Sequence, residues 1–316
     1  MPGTTELTFR EGTRADLGDT FALADRAMHS TAVRQGVIPP DREIAEADIR
    51  GDWLRHRPLF EFLAAQGDGR YLIAENGDGP VGFARVVRFG AMEQLTELMV
   101  EPEYQGQGLG RDLLQQVWPG DPTPELGRLV VAAGSPQDLS LYTDFGTMPV
   151  AGHWHMRQRT ELYLDHRSKQ DDHHGAVAHV LTPERALAAW NELEPAVVGH
   201  DRRALHEFLS RDRTCLATMR GEEITGLCWV SGDAEIGPAL GVAPGDLVPV
   251  VLAALDRVAK TQEPNHLSVF CTTLAWWLLR RLRTLGFSIY WPSWVMCSVP
   301  LPGLDSYAPT RPPHVL

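Results

Sequence analysis

Apolar and polar positions change period several times along this chain, and each change marks an element. Residues 7–10 alternate as a short strand does. After Thr13, the apolar residues Leu17, Phe21, Ala24 and Met28 recur at three- and four-residue spacing, which is one face of a helix. A second helical stretch is expected over 41–65, broken or kinked near Pro58, whose ring removes a backbone donor. The period then shortens. Residues 71–74 and 81–87 read as strands joined by the turn Asn76-Gly77-Asp78-Gly79, and 95–100 as a further strand. Leu109, Leu113, Leu114 and Val117 form one apolar helical face. Residues 126–133 are a strand, 138–145 a short helix and 150–157 a last strand. The predicted order is strand, two helices, three strands, helix, strand, helix, strand.

The second half repeats this outline. Strands are expected over 215–219, 224–230, 236–242 and 267–271, with helices over 247–258 and 274–282. Gly226 stands where the first half has Gly82, and Leu285-Gly286-Phe287 corresponds to Phe145-Gly146 at an offset of about 140 residues. A constant offset across several landmarks indicates an internal duplication. Residues 165–175 are wholly polar and read as a solvated linker rather than a metal site, despite their histidines and aspartates. The chain is therefore expected to be α/β, with mixed central sheets flanked by helices, and to comprise a first domain over 1–164, a linker over 165–175 and a second domain over 176–316. The pair Trp276-Trp277 opens an apolar helix and is expected in the core or at a domain interface.

Composition narrows the function. With 43% hydrophobic and 22% charged residues, a chain of 316 residues can bury two cores. A net charge of −12 excludes a general nucleic-acid or membrane-surface binder, since phosphate contacts need a basic patch. No basic segment followed by an apolar run opens the chain, and no stretch approaches the roughly 18 apolar residues of a spanning helix, so a cytoplasmic location is expected. Cys215, Cys228, Cys271 and Cys297 lie in apolar surroundings without C-x-x-C spacing and read as buried free thiols. No metal site is expected.

The chemistry centres on Gln105-Gly106-Gln107-Gly108-Leu109-Gly110. The first amides of a helix lack internal acceptors, point outward and carry the positive end of the helix dipole, so they bind anions. Glycines remove the side chains that would hold a diphosphate away and permit positive φ. Neither the P-loop nor the dinucleotide pattern fits: no lysine follows the run, and the second pattern would need glycine at Arg111. The pattern that fits is Q/R-x-x-G-x-G/A, read as Gln105, Gly108 and Gly110, preceded by Glu97-Leu98-Met99-Val100-Glu101-Pro102 and followed by an amphipathic helix.

This stretch resembles the coenzyme A loop of the GNAT superfamily of acyl-CoA-dependent N-acyltransferases, and the resemblance covers about residues 5–160. It implies acetyl-CoA as cosubstrate, held by Gln105, Gly106, Gln107, Gly108, Leu109, Gly110 and Arg111 at the diphosphate. The backbone of Leu98, Met99 and Val100 would pair with the pantetheine arm. It also implies a tyrosine that protonates the departing thiolate, here Tyr142 in Leu141-Tyr142-Thr143-Asp144-Phe145-Gly146. A phenol with pKa about 10 can donate to a thiolate of pKa about 8.5. Thr147 stands where the family usually has phenylalanine. Glu97, on the strand face opposite Leu98 and Val100, is a general-base candidate whose other reading is an ion-paired glutamate. Trp53, His56 and Phe60 are candidate linings of the acceptor pocket.

In the second half, Ala243-Pro244-Gly245-Asp246 replaces the loop. Asp246 brings negative charge to the phosphate position and reads as an N-cap for the helix at Leu247. The expected protein is thus a tandem GNAT of bacterial type with one active and one degenerate domain. It would transfer an acetyl group to a small-molecule primary amine by direct attack. A homodimer is left open. Two alternatives stand beside this reading: mycothiol synthase, in whose family the intact loop belongs to the C-terminal repeat, and a non-catalytic acyl-CoA sensor.

Overall fold

A computed structural model describes residues 7–133, 135–169, 177–311 and 314–316. The first repeat runs β1 (Thr8–Glu11), α1 (Leu17–Arg34), α2 (Glu46–Ala64), β2 (Arg70–Asn76), β3 (Gly79–Phe89), β4 (Met92–Val100), α3 (Leu109–Val117), β5 (Gly127–Ala132), α4 (Pro136–Asp144) and β6 (Met148–Arg159). This is the predicted order. The hairpin turn forms because Asn76 Oδ1 accepts from the backbone amides of Asp78 (2.8 Å) and Gly79 (3.1 Å). Helix α2 begins at Glu46 and continues through Pro58, so of the expected break or kink the break does not occur. A proline deletes one interior hydrogen bond, and here Leu59, Phe60 and Leu63 bury the turn beyond it.

After α5 (Thr160–Ser168) the same order recurs as β7 (Ala178–Val180), α6 (Pro183–Val198), α7 (Arg203–Leu209), β8 (Arg213–Arg220), β9 (Glu223–Ser231), β10 (Ile236–Gly241), α8 (Leu247–Thr261), β11 (His266–Thr272), α9 (Trp276–Thr284) and β12 (Ser288–Cys297), with a short β13 (Tyr307–Ala308) added. Helix α5 takes residues 165–168 of the expected linker. It is anchored by Tyr163, which is buried and donates to Asp256 Oδ1 at 2.6 Å, and by Arg167, which pairs with the same carboxylate at 3.2 Å, while Asp165 and Ser168 face solvent. The rest of that linker, from 170 to 175, lies outside the described residues.

The duplication holds at the level of single bonds. The amide of Glu101 donates to the carbonyl of Val81 at 2.9 Å, and the amide of Val242 to that of Thr225 at 2.8 Å. In each case the acceptor precedes the matched glycine, Gly82 or Gly226. A Cβ on Gly82 would lie 3.3 Å from Leu109 and Leu113 of α3. A Cβ on Gly226 would lie 3.0 Å from Val250 of α8 and 3.1 Å from the Asp246 carbonyl. Both glycines let the following helix lie close on its strand. Gly146 and Gly286 likewise adopt φ of +82° and +83° where α4 and α9 end.

Contacts divide the chain into two units, Met1–Arg88 with Met92–Arg128 and Thr143–Gly146, and Phe89–Ala91 with Leu129–Tyr142 and Thr147–Leu316. In the first, the strands follow the order β1-β2-β3-β4. Phe83 packs with Leu23, Ala24 and Ile73, whereas its neighbour Gly82 faces α3, so α1 and α3 cover opposite faces.

The second unit holds strands in the orders β5-β12-β6-β11 and β13-β10-β9-β8-β7. Its division from the first does not follow the repeat boundary at 164–176, because strands are exchanged. Strand β12 pairs with β5 from Trp294↔Ala132 to Cys297↔Leu129, and β6 pairs with β11 from His266↔Arg159 to Thr272↔His153. Around β9, Cys228 and Val230 join the core of α8, and Trp229 stacks on Trp190 of α6 at 6.2 Å. All four cysteines are free and buried, as expected. Trp276 and Trp277 are more than half exposed, contrary to expectation. Leu278, Leu279 and Leu282 form the buried face of α9, and Trp276 and Trp277 lie on the side turned away from it.

The glycine under α8 yields a stability prediction. Gly226→Val forces extra methyl groups against Thr218 Oγ1 and Val250 and is expected to cost about 1–3 kcal/mol. Gly51→Ala, in open space on α2, is expected to add about 0.5–1 kcal/mol. Urea denaturation of the full chain compares the two.

Candidate active site

Strand β4 ends at the Glu101–Val81 bond, and Pro102-Glu103-Tyr104 then makes a single turn of 3-10 helix. Polar side chains in the following loop turn back into the protein. Gln105 Nε2 donates to the Val100 carbonyl at 2.9 Å, while its Oε1 accepts from Arg34 Nη1 at 2.6 Å. Gln107 Nε2 donates to the Glu103 carbonyl at 2.7 Å, and Tyr104 Oη accepts from Asn76 Nδ2 at 2.8 Å. Bracing by side chains leaves the backbone to face outward. Gly106 and Gly108 are left-handed, with φ of +75° and +94°, and a Cβ on either would meet nothing within 4 Å. Helix α3 opens at Leu109, so its first amides point toward that open space. Two glycines without a neighbouring wall, ahead of a helix N-terminus, fit a diphosphate.

Gln105 and Gln107 thus shape the loop through their side chains, and any ligand contact falls to the backbone. Arg111 pairs with Asp144 and lies over the Phe145 ring at 6.0 Å, so its guanidinium is already engaged. Leu98, Met99 and Val100 close β4 as expected, with Met99 packed toward Leu23 and Phe83.

Glu97 shares that face and is buried. Its Oε1 lies 3.5 Å from Arg85 Nη1, and its Oε2 accepts from Thr96 Oγ1 at 2.7 Å. Arg85 is buried too, over the rings of Tyr71 at 4.3 Å and Phe60 at 5.5 Å, with no hydrogen-bond partner for its Nε. The pair is held by ring faces as well as by charge.

Helices α1 and α2 bring Trp53, His56 and Phe60 together around Phe21, at ring separations of 5.4, 6.3 and 5.3 Å. Phe60 is core; Trp53 and His56 are half-buried. Asp25 belongs to the same region. Burial and the charge of Asp52 push its carboxyl up to about 6, against the pull of His56 and Arg26. Neither Asp25 nor Arg85 was expected from the sequence. Arg85 carried a signal, a lone charge within the apolar run 81–87. Asp25 carried none, since helical spacing places it beside the apolar face.

Tyr142 lies in the second unit, buried on α4. Burial, with the charge of Asp138, raises its hydroxyl above the usual phenol range, so it is a protonated donor at neutral pH. Thr147, the departure from the family pattern, is buried. Both its hydroxyl (2.9 Å) and its amide (3.3 Å) donate to the Tyr142 carbonyl, closing the helix end.

In the matching loop of the second repeat a carboxylate takes one of the backbone amides. Asp246 occupies the N-cap position of α8 but does not cap it. Its carboxylate accepts from the Ala243 amide at 3.2 Å and pairs with Arg220 at 3.3 Å. Among the described residues no group of three or more His, Cys, Asp or Glu side chains is placed to hold a metal, and no helix is long and apolar enough to cross a membrane.

Residues 67–146 match the family model described as acetyltransferase (GNAT) domain. The chain is 28% identical over 154 positions to GCN5-related N-acetyltransferase 2, chloroplastic, of Arabidopsis thaliana, spanning 40% of this chain and 58% of that protein. A solved Pyrococcus horikoshii protein assigned to the acetyltransferases has a TM-score of 0.67 at 18% identity, over 97% of this chain and 94% of that one. A tandem GNAT protein from the clavulanic acid biosynthesis pathway has a TM-score of 0.59 at 16% identity, over 93% and 99%. At such identities the likeness is one of fold, and it extends over both repeats. With the glycine loop and its helix inside the matched segment, the first repeat carries a GNAT acetyltransferase domain, and the chain as a whole has the fold of solved proteins with two such domains in tandem.

Proposed function

We propose that this chain is an acetyl-CoA-dependent N-acetyltransferase that uses the cradle of its first repeat and acts on a small-molecule primary amine. The observation that carries this reading is the open, left-handed Gly106–Gly108 backbone ahead of α3. Acetyl-CoA would supply a thioester carbonyl for direct attack by the amine. The amides at the start of α3 would hold its diphosphate, and the backbone of Leu98, Met99 and Val100 its pantetheine arm. Tyr142 would donate the proton that the departing thiolate takes up. Glu97 would accept a proton from the ammonium, directly or through water, once released from Arg85. Phe21, Trp53 and His56 would line the acceptor pocket, and Asp25 would add a carboxylate that favours a cationic amine. Much of the rate would come from positioning.

Engagement of Glu97 by Arg85 and Thr96 favours a second reading, a non-catalytic acyl-CoA-binding module. Turnover separates the two: tight acetyl-CoA binding without thiol release on any amine of a broad panel identifies the module.

Three outcomes test these assignments. Gly108→Glu puts a carboxylate on a left-handed backbone in the cradle and is expected to abolish acetyl-CoA binding in calorimetry; failure of the wild type to bind would end the reading. Tyr142→Phe is expected to lower kcat about 10²–10⁴-fold with the dissociation constant for acetyl-CoA unchanged. For Asp25, the folded state holds a proton that the unfolded state has lost between its ordinary value of 3.8 and about 6. Stability therefore falls as pH rises through that window, and the full cost persists above it. Asp25→Asn is expected to raise Tm at about pH 7.5, with the gain vanishing toward about pH 4. A gain that does not change with pH would remove the buried-carboxyl assignment.

A further inference from the structure

The equivalent bonds from Glu101 to Val81 and from Val242 to Thr225 set the register between the repeats. Counting back from them, Leu98, Met99 and Val100 correspond to Ala239, Leu240 and Gly241. In the second repeat that strand edge already has a partner. Strand β13 pairs antiparallel with β10 through Ala239↔Ala308 and Leu240↔Tyr307, and it also packs against β11. We infer that Tyr307–Thr310 is a built-in substitute for a pantetheine arm, closing the second repeat with the protein's own backbone so that the chain takes up one equivalent of acyl-CoA. The inference rests on the reading of the first repeat given under Proposed function.

Several features hold the segment as firmly as a core strand. Ala308 faces the core around α8, and Tyr307 faces the other way into a buried polar cluster. There Glu194 pairs with Arg202 and accepts from His206 Nε2 at 2.6 Å, whose Nδ1 accepts from Trp229 Nε1 at 3.1 Å. Arg202 donates to Tyr307 Oη and to the Leu316 carbonyl, which also accepts from Thr310 Oγ1 at 2.8 Å. Burial alone would raise the Glu194 carboxyl, but Arg202 and His206 hold it well below the usual carboxylate range. A Cβ on Gly237 would lie 2.4 Å from the Pro309 carbonyl, so glycine in β10 is what admits the segment. Arg213 ties the two together, donating to the Gly237 and Arg311 carbonyls at 2.8 Å each. Thr272 of β11 donates to the Leu304 carbonyl at 2.7 Å, fixing the approach. A strand supplied by the same chain has a high effective concentration, and a free ligand must displace it. Asp246, held by the Ala243 amide, also puts a carboxylate at the start of α8, where a diphosphate would be repelled.

Hydrogen–deuterium exchange of the full-length protein, read by mass spectrometry with and without acetyl-CoA, tests this. Peptides covering 236–242 are expected to be protected without ligand and unchanged by it, while those covering 97–102 slow about tenfold or more on ligand addition. Calorimetry is expected to give one equivalent for the wild type and none for Gly108→Glu. Added protection at 236–242 with acetyl-CoA, a second equivalent, or residual binding by Gly108→Glu overturns the inference. If the wild type binds no acetyl-CoA, the reading of the first repeat fails. The exchange of 236–242 in free protein then decides the strand substitution alone, with fast exchange overturning it. Ala308→Pro removes an amide from β13 and is expected to speed exchange at 236–242 at least about tenfold, and unchanged exchange in the folded variant also overturns it.

Discussion

A glycine in a strand, lying beneath a helix, is the constraint on which each repeat depends. At Gly82 and Gly226 the strand has no side chain, and the following helix settles onto the backbone. That contact, with the backbone bond one residue earlier, fixes where the next strand ends and where the helix begins. The dipole end of the helix and the strand edge thus stand in a set relation before any ligand is considered. A larger residue at either glycine would lift the helix off its strand.

On this common scaffold the repeats differ in what satisfies the backbone. The first keeps left-handed glycines, and its glutamines brace the loop from behind, so the amides face open space. In the second, Asp246 turns its carboxylate onto a loop amide and β13 takes the strand edge. Buried backbone groups need partners, and in the second repeat the chain provides them itself. The Arg202–Glu194 cluster serves the same end, because two charges taken out of water persist only with close partners and further hydrogen bonds.

Strand exchange makes the duplication more than a joining of two copies. Strand β12 completes pairing along β5, and β6 does so along β11, so each repeat's last strand is seated on the other's sequence. A repeat cut at the sequence boundary would leave β5 and β11 with open edges, a liability that strand proteins avoid. The likeness in fold to a solved tandem GNAT protein over more than nine-tenths of the chain fits this shared architecture.

The sequence by itself determined the element order, the duplication, and the replacement of the first half's glycine run by Ala243-Pro244-Gly245-Asp246 in the second. These are local properties: hydrophobic period, turn residues and glycine spacing act within a few residues. It placed Glu97 on the same strand face as Met99 and left open whether that residue is paired. Only the tertiary structure showed the pairing, because Arg85 comes from another strand. The same holds for Asp25, whose raised pKa comes from burial under α2, and for Trp276 and Trp277, whose exposure depends on which side of α9 finds a core. Domain limits were legible as repeats but not as contacts, since strand exchange leaves no local trace. A two-residue strand such as β13 has too few positions to show a period, and its pairing with β10 joins segments about 70 residues apart. Only the folded chain reveals that the edge of β10 is paired with the chain's own β13.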